Sequence, residues 1–230
     1  MFFVTRQRTF VRILFAFILL LCVSTLRADT WKGTRYDGNA CNRYFLTISA
    51  RNGEYEYSQA FRNAIGIWRN ATSPFGLNSV PRVHANMFER TTWIGGNDRC
   101  YVVDKGEDKG RLGLTWYYKK VGSSGRNYNI TDGDPVDKSW YFCTITLFKN
   151  VHSSASRDDE ELLLLATDTA THEMGHSLKL AHANANEGSE RNNISPNGQR
   201  SIMESETDPD NLSGTVTPYD LQELRLKWNN

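Results

Sequence analysis

Two histidines separated by three residues, the first followed directly by a glutamate, form the strongest chemical pattern in this 230-residue chain: His172-Glu173-Met174-Gly175-His176. Residues four apart on a helix project from the same face, so both imidazoles can hold one Zn²⁺ at about 2.0–2.1 Å. Glu173 then lies at the flank, where its carboxylate can act as a base toward water without binding the metal. The pattern predicts His172 and His176 as metal ligands and Glu173 as the catalytic residue of a hydrolase.

A catalytic zinc needs a third protein ligand and one open position. His182 follows His176 by six residues. On a continuous helix, at roughly 100° per residue, its side chain would point about 120° away from His176 and miss the metal. The helix must therefore end near residues 177–179 and the chain must turn back. If the helix ran on to Ala185, His182 would be an ordinary surface residue. We predict the reversal, and with it a site of three histidines.

The stretch from His172 to His182 resembles the long zinc motif of the metzincin peptidases, HExxHxxGxxH, and Ser201-Ile202-Met203 resembles the methionine turn of that family. The order of the elements is most similar to the matrixin-like members. The resemblance implies an α+β fold in which a mixed twisted sheet packs on two long helices. It also implies one catalytic Zn²⁺, a polypeptide substrate, and Met203 lying beneath the three imidazoles.

The same resemblance implies one catalytic domain over residues 29–230, with an upper lobe at 29–182 and a small lower lobe at 183–230 that carries the methionine turn and a terminal helix. Lys179 departs from the family pattern, because it stands where the motif has the glycine that turns the chain. A left-handed backbone costs a residue other than glycine about 1–2 kcal/mol. Ser205 stands where astacin-like members have a tyrosine.

Three other interpretations remain open at this point. A thermolysin-like peptidase would take its third ligand from a downstream glutamate, and residues 204–208 are acidic, although Pro209 makes a helix there unfavourable. A secreted interaction module would keep the zinc without hydrolysing peptides. Residues 132–137 have the carboxylate spacing of a Ca²⁺ loop, but an ordinary solvated turn has it too. His84 and His152 are expected to be structural.

Apolar periodicity indicates the elements that must position these groups. Residues 55–70 carry apolar side chains at helical spacing. Residues 100–103, 112–118 and 140–148 are rich in β-branched and aromatic residues and predict strands. A long buried helix begins after Ser154 or Ser156 and runs toward His176, and a polar loop follows at 183–201. Thr217-Pro218-Tyr219-Asp220 has the cap, proline and acid of a helix start.

Residues 1–28 have the layout of a secretory signal peptide: basic residues, an apolar run from Ile13 to Val23, and a polar end at Ala28. As a helix the run rises only about 16 Å, too short for roughly 30 Å of hydrocarbon. We therefore expect a secreted, extracellular protein with no stable membrane association. Its remaining 23 basic and 26 acidic residues give a net charge of −3, which disfavours nucleic acid as a partner. We expect a monomer.

Export implies an oxidising compartment, in which three cysteines remain after cleavage. They are Cys41, Cys100 and Cys143. An odd number allows at most one internal disulfide, and the spacing leaves its pairing open. Composition excludes collagen-like, coiled-coil and broadly disordered proteins, because hydrophobic residues make up 39% and charged residues 23% of the chain.

The signal-peptide prediction is testable by intact-mass measurement of the exported protein. We expect a chain that begins at Asp29. A mass that still includes residues 1–28 would contradict cleavage.

Overall fold

The computed structural model of the chain describes twelve segments, which together contain the predicted site. They are residues 40, 43–46, 55–72, 89–92, 97–104, 110–121, 126–129, 139–156, 158–183, 201–204, 212 and 214–228. The predicted signal peptide at 1–28, Cys41, His84, the acidic stretch at 132–137 and residues 184–200 of the predicted polar loop lie outside the described residues.

Helices and strands both contribute to the described chain. The helices are α1 (Tyr55–Thr72), α2 (Lys149–Ala155), α3 (Asp159–Ser177) and α4 (Pro218–Trp228). The strands are β1 (Tyr44–Leu46), β2 (Arg90–Thr91), β3 (Asp98–Val103), β4 (Gly113–Val121), β5 (Arg126–Asn129) and β6 (Phe142–Phe148). The mixed α and β composition predicted from the sequence is confirmed, and the three strongest strand predictions correspond to β3, β4 and β6.

The described strands form one mixed sheet in the order β2-β1-β3-β6-β4-β5. The first four of these strands are parallel. β4 runs antiparallel to β6, from the pair Gly113 and Leu147 to the pair Tyr118 and Phe142. β5 pairs with residues 118–121 of β4, so Tyr118 is the residue of β4 that pairs with both β6 and β5. Residues 113–117 of β4 therefore have a strand partner on one side only among the described strands.

Helices α1 and α3 pack side by side. The apolar stripe predicted in α1 is buried throughout, as expected for a helix that faces a core. Its members are Tyr57, Phe61, Ala64, Ile65 and Trp68. The Trp68 indole N–H donates to the carbonyl of Thr171 in α3 at 2.9 Å. This contact fixes the long helix that carries the candidate ligands.

The start of α3 differs from the prediction. Neither Ser154 nor Ser156 caps it, because residues 149–155 form the short helix α2, and Ser156 closes that helix by bonding the carbonyl of His152. Asp158 caps α3 instead, and its carboxylate accepts from the backbone N–H of Glu161 at 2.9 Å. The acidic residues of the first turn of α3 complement the positive end of the helix dipole.

The terminal helix begins as the sequence predicted. The Asp220 carboxylate accepts from the backbone N–H of Thr217 at 2.8 Å, while the Thr217 hydroxyl faces the N–H of Asp220, so the two residues form a reciprocal cap. Leu221, Leu224 and Trp228 form the buried apolar stripe of this helix.

The described cysteines, Cys100 and Cys143, are both buried thiols. Burial raises the pKa of the Cys100 thiol, and the nearby Asp98 raises it further. Within the described residues, no helix is long and apolar enough to cross a membrane.

The buried His152 predicts an acid-sensitive fold. Its Nδ1 donates to the carbonyl of Phe148 at 2.9 Å, and burial lowers its pKa from 6.5 to about 4. The unfolded chain takes up this proton near pH 6.5 and the folded chain resists it. The free energy of unfolding should therefore fall by about 2 kcal/mol between pH 7 and pH 5 on account of this group.

Urea unfolding of the wild type and of His152→Gln, both in chelator, measures this difference, since other titrations are common to the two chains. We expect a steeper decline for the wild type. Equal pH slopes for the two proteins would show that His152 is not held neutral.

Candidate metal centre

The chain reverses at the end of α3, at the place where the ligand geometry requires it. The helix ends at Ser177, and Lys179 has φ 69°, in the left-handed region. The N–H of Lys179 donates to the carbonyl of His176 at 2.8 Å, and that of Leu180 donates to the carbonyl of Gly175 at 3.1 Å. This pair of bonds is the Schellman motif, in which glycine usually occupies the left-handed position.

The reversal brings the three predicted ligands together. One ligand atom from each of His172, His176 and His182 lies within 4.8 Å of the others. The Nε2 atoms of His176 and His182 are 3.2 Å apart. Two nitrogens bound to one tetrahedral Zn²⁺ at about 2.0–2.1 Å would be about 3.3–3.4 Å apart. The donor set and its spacing therefore fit a metal ion, and histidine nitrogens suit several divalent transition metals.

Backbone carbonyls orient two of the imidazoles. Nδ1 of His172 donates to the carbonyl of Ile202 at 2.7 Å, and Nδ1 of His176 donates to the carbonyl of Leu180 at 2.8 Å. A proton on Nδ1 leaves the lone pair on Nε2, which is the form that binds a metal. Both rings are thus prepared as ligands before any ion binds.

The three imidazoles are held neutral. Burial lowers the pKa of His172 to about 4, with His182 contributing, and burial lowers the pKa of His176 well below its usual value. The pKa of His182 is also lowered, by burial first and by Arg111 second. Neutral rings are required for metal binding, because a protonated imidazole has no lone pair to donate.

Glu173 lies on α3 next to His172, and its carboxylate contacts strand β4. One oxygen of its carboxylate accepts from the Thr115 hydroxyl at 2.7 Å. Burial raises the pKa of Glu173 to about 7, while the Thr115 bond and the Arg111 charge oppose the rise. A Cβ on Gly113 would be 2.8 Å from the Glu173 side chain, so only glycine lets β4 approach this closely. A carboxylate with this pKa can both take and release a proton near neutral pH.

Met203 packs against α3, the helix that carries His172 and His176, and its predicted place beneath the three imidazoles stays a prediction. Its sulfur packs on Gly175, where an added Cβ would overlap it. The backbone of its turn is held at both ends, since the N–H of Ala183 donates to the carbonyl of Met203 at 2.8 Å, and Asp220 accepts from the N–H of Ile202 at 3.2 Å. The turn therefore supports the reversed chain and supplies the carbonyl that orients His172.

Sequence reasoning did not identify several residues around the site. Arg111, Thr115 and Tyr117 belong to β4 or the segment before it, and Asp220 belongs to α4. The Tyr117 hydroxyl donates to the carbonyl of His176. No local spacing pattern indicates these contacts, because Thr115 and Tyr117 reach α3 across 58 and 59 positions and Asp220 reaches Ile202 across 18.

Other predicted candidates remain apart from the site. Within the part of the chain that the structure describes, the three histidines are the one group of His, Cys, Asp or Glu side chains placed to hold a metal. Glu204 is described and is not in it, and the rest of the acidic stretch at 204–208 lies outside the described residues. His152 is structural, as expected, because it is fully buried against Phe148 and Thr169.

The chain matches no protein-family model and no curated protein. The candidate metal centre is therefore identified by its geometry, the convergence of His172, His176 and His182.

The geometry predicts that each histidine is needed for tight metal binding. We expect one zinc per wild-type chain. His182→Ala should weaken binding by more than the roughly 10–100-fold that changes around a ligand cause, because it removes a ligand itself. Zinc titration against a chromophoric chelator measures the change, and His152→Gln is the matched control with a buried histidine removed elsewhere. Wild-type affinity in His182→Ala would contradict the three-histidine site.

Proposed function

We propose that this protein is a secreted zinc endopeptidase of the metzincin type, similar to the matrixin-like members. The observation that carries the proposal is the convergence of His172, His176 and His182 through a helix that ends at Ser177, with a buried carboxylate at its side. The mixed sheet, the two packed helices and the contact of Met203 with Gly175 support the proposal.

The three Nε2 atoms would hold the zinc. A zinc ion supplies a Lewis acid that polarises the scissile carbonyl and makes water more acidic. Three protein ligands leave a fourth position open, which is typical of catalytic rather than structural zinc sites. The proximity of His182 to His172 and His176 supports the three-histidine site over the thermolysin-like alternative.

Glu173 is the proton carrier in this proposal. Thr115 fixes one carboxylate oxygen and leaves the other available for a water molecule at the site. Glu173 takes a proton from that water as the oxygen attacks the carbonyl carbon, and it then gives the proton to the leaving amine. Its pKa of about 7 suits both transfers, because neither the acid nor the carboxylate form is strongly favoured at neutral pH.

The edge of β4 can receive a polypeptide. Residues 113–117 pair with β6 on one side and with no described strand on the other. An extended peptide can add to such an edge through main-chain hydrogen bonds. Thr115 belongs to this segment and contacts Glu173, so a peptide bound there would lie beside the proposed base. We therefore propose polypeptides as the substrate class.

The proposed setting follows from the sequence. The signal-like segment at 1–28 favours an extracellular protein, and the charge of the remaining chain disfavours nucleic acid. We propose that the protein is a monomer. The rival function is a secreted interaction module that binds zinc without hydrolysis. A module of that kind would hold zinc and never cleave peptide bonds.

Glu173→Gln separates chemistry from metal binding. The amide keeps the shape of the side chain and cannot accept the proton. We expect casein hydrolysis to fall by at least about a hundredfold, the usual scale for a general base, while one zinc per chain is retained. Glu160→Gln, an exposed substitution in the same helix, is the control and should leave activity unchanged.

Two results would decide against the proposal. Undiminished hydrolysis by Glu173→Gln would show that Glu173 is not the base. A folded, zinc-loaded wild type that cleaves no polypeptide would favour the interaction module.

A further inference from the structure

Lys179 is a fully buried lysine at the left-handed position of the chain reversal. Lysine is among the residues least often buried, and a side chain with a Cβ is disfavoured in this backbone conformation. Two unfavourable features thus coincide at the residue on which the position of His182 depends. Other interactions must compensate for the free energy that the buried charge and the left-handed conformation cost.

Two aromatic rings provide that interaction. The Lys179 ammonium lies 3.9 Å from the ring centre of Tyr117 and 4.5 Å from that of Trp140. The rings meet edge to face, with centroids 5.4 Å apart. A cation over aromatic faces is attracted most strongly when the pair is shielded from water, as here. The Trp140 indole N–H is buried with no hydrogen-bond partner among the described residues. The described contacts of this side chain are therefore made by its ring.

These aromatic residues are connected to the reversed segment and to the rest of the fold. The Tyr117 hydroxyl donates to the carbonyl of His176, the same carbonyl that accepts from the N–H of Lys179. Trp228 packs on Trp140 with ring centroids 6.3 Å apart, and its indole N–H donates to the carbonyl of Leu178 at 2.9 Å. Strand β4 therefore contacts the turn through Tyr117, and helix α4 contacts it through Trp228.

We propose that Lys179 is a positioning residue for the metal centre: its ammonium, held between Tyr117 and Trp140, fixes the turn that presents His182. The inference rests on the three-histidine zinc site proposed above. For Lys179→Gly it predicts weaker zinc binding, whereas backbone conformation alone predicts a more stable turn. Glycine would relieve the left-handed strain, but it would remove the cation and the buried stem that tie the turn to β4.

The first test compares Lys179→Gly, Lys179→Met and Lys179→Arg with the wild type. Zinc affinity is measured by chelator competition, and the free energy of unfolding is measured separately in excess chelator. Methionine should weaken zinc binding roughly tenfold to thirtyfold, the scale of a shielded cation–aromatic contact, and glycine should weaken it by a smaller factor because it also relieves the left-handed strain. Arginine keeps a cation over the rings and should recover much of the affinity.

The second test uses Co²⁺, whose visible spectrum reports the ligand geometry. At saturating cobalt, Lys179→Met should show weaker or shifted bands, because His182 is no longer held in place. A residue that only stabilises the fold would leave the saturated spectrum unchanged. Methionine retains an unbranched apolar stem, so this variant gives an answer even where Lys179→Gly does not fold.

The outcomes distinguish the two proposals. Zinc binding by Lys179→Gly as tight as that of the wild type, or a wild-type cobalt spectrum in Lys179→Met, would overturn the role of Lys179 and leave the zinc site standing. Failure of the wild type itself to bind zinc or cobalt would overturn both.

Discussion

The left-handed turn at Lys179 is the constraint on which the rest of the site depends. Without it, α3 would carry His182 away from the other two imidazoles, and a pair of histidines would remain. The turn is local in its hydrogen bonds, which run from residues 179 and 180 back to 176 and 175. The contacts that stabilise the turn come from distant parts of the chain, Tyr117 and Trp140. The conformation costs about 1–2 kcal/mol, and a shielded cation–aromatic contact supplies about 2 kcal/mol or more.

Burial produces the second property of the site, which is the shift in the pKa values of its histidines and of Glu173. The imidazoles stay neutral because burial lowers their pKa values, and burial also raises the pKa of Glu173. Strand β4 is responsible for much of this environment. Its glycine permits close approach to α3, Thr115 orients the carboxylate, and Tyr117 holds the end of the helix. One strand thus shapes the surroundings of Glu173 and of the three histidines, and it carries the edge at which we propose that a peptide binds.

Local patterns in the sequence were sufficient for much of the structure. The stripe of α1, the reciprocal cap of Thr217 and Asp220, and the requirement for a reversal after Ser177 each depend on residues within one or two helical turns. The start of α3 was misplaced by a few residues, because α2 follows β6 without a capping signal of its own. The sequence left open whether a lysine could turn the chain.

The contacts that could not be predicted from the sequence join residues far apart in the chain. Thr115 reaches Glu173 across 58 positions, and the rings around Lys179 come from β4 and the residues before β6. Strand pairing decides these contacts, and no spacing rule within a segment encodes them. The residues that could bind a metal were therefore predictable, whereas those that orient them and adjust their pKa values were not.

The central claim is that three imidazoles share one metal ion with a single position left for solvent. X-ray absorption at the zinc edge of the loaded wild-type protein tests it most directly, because it counts the neighbours of the metal and identifies imidazole rings by their outer atoms. The account predicts three imidazole nitrogens and one oxygen at about 2.0–2.1 Å. Two imidazoles, or a fourth ligand from the protein that closes the site, would contradict it.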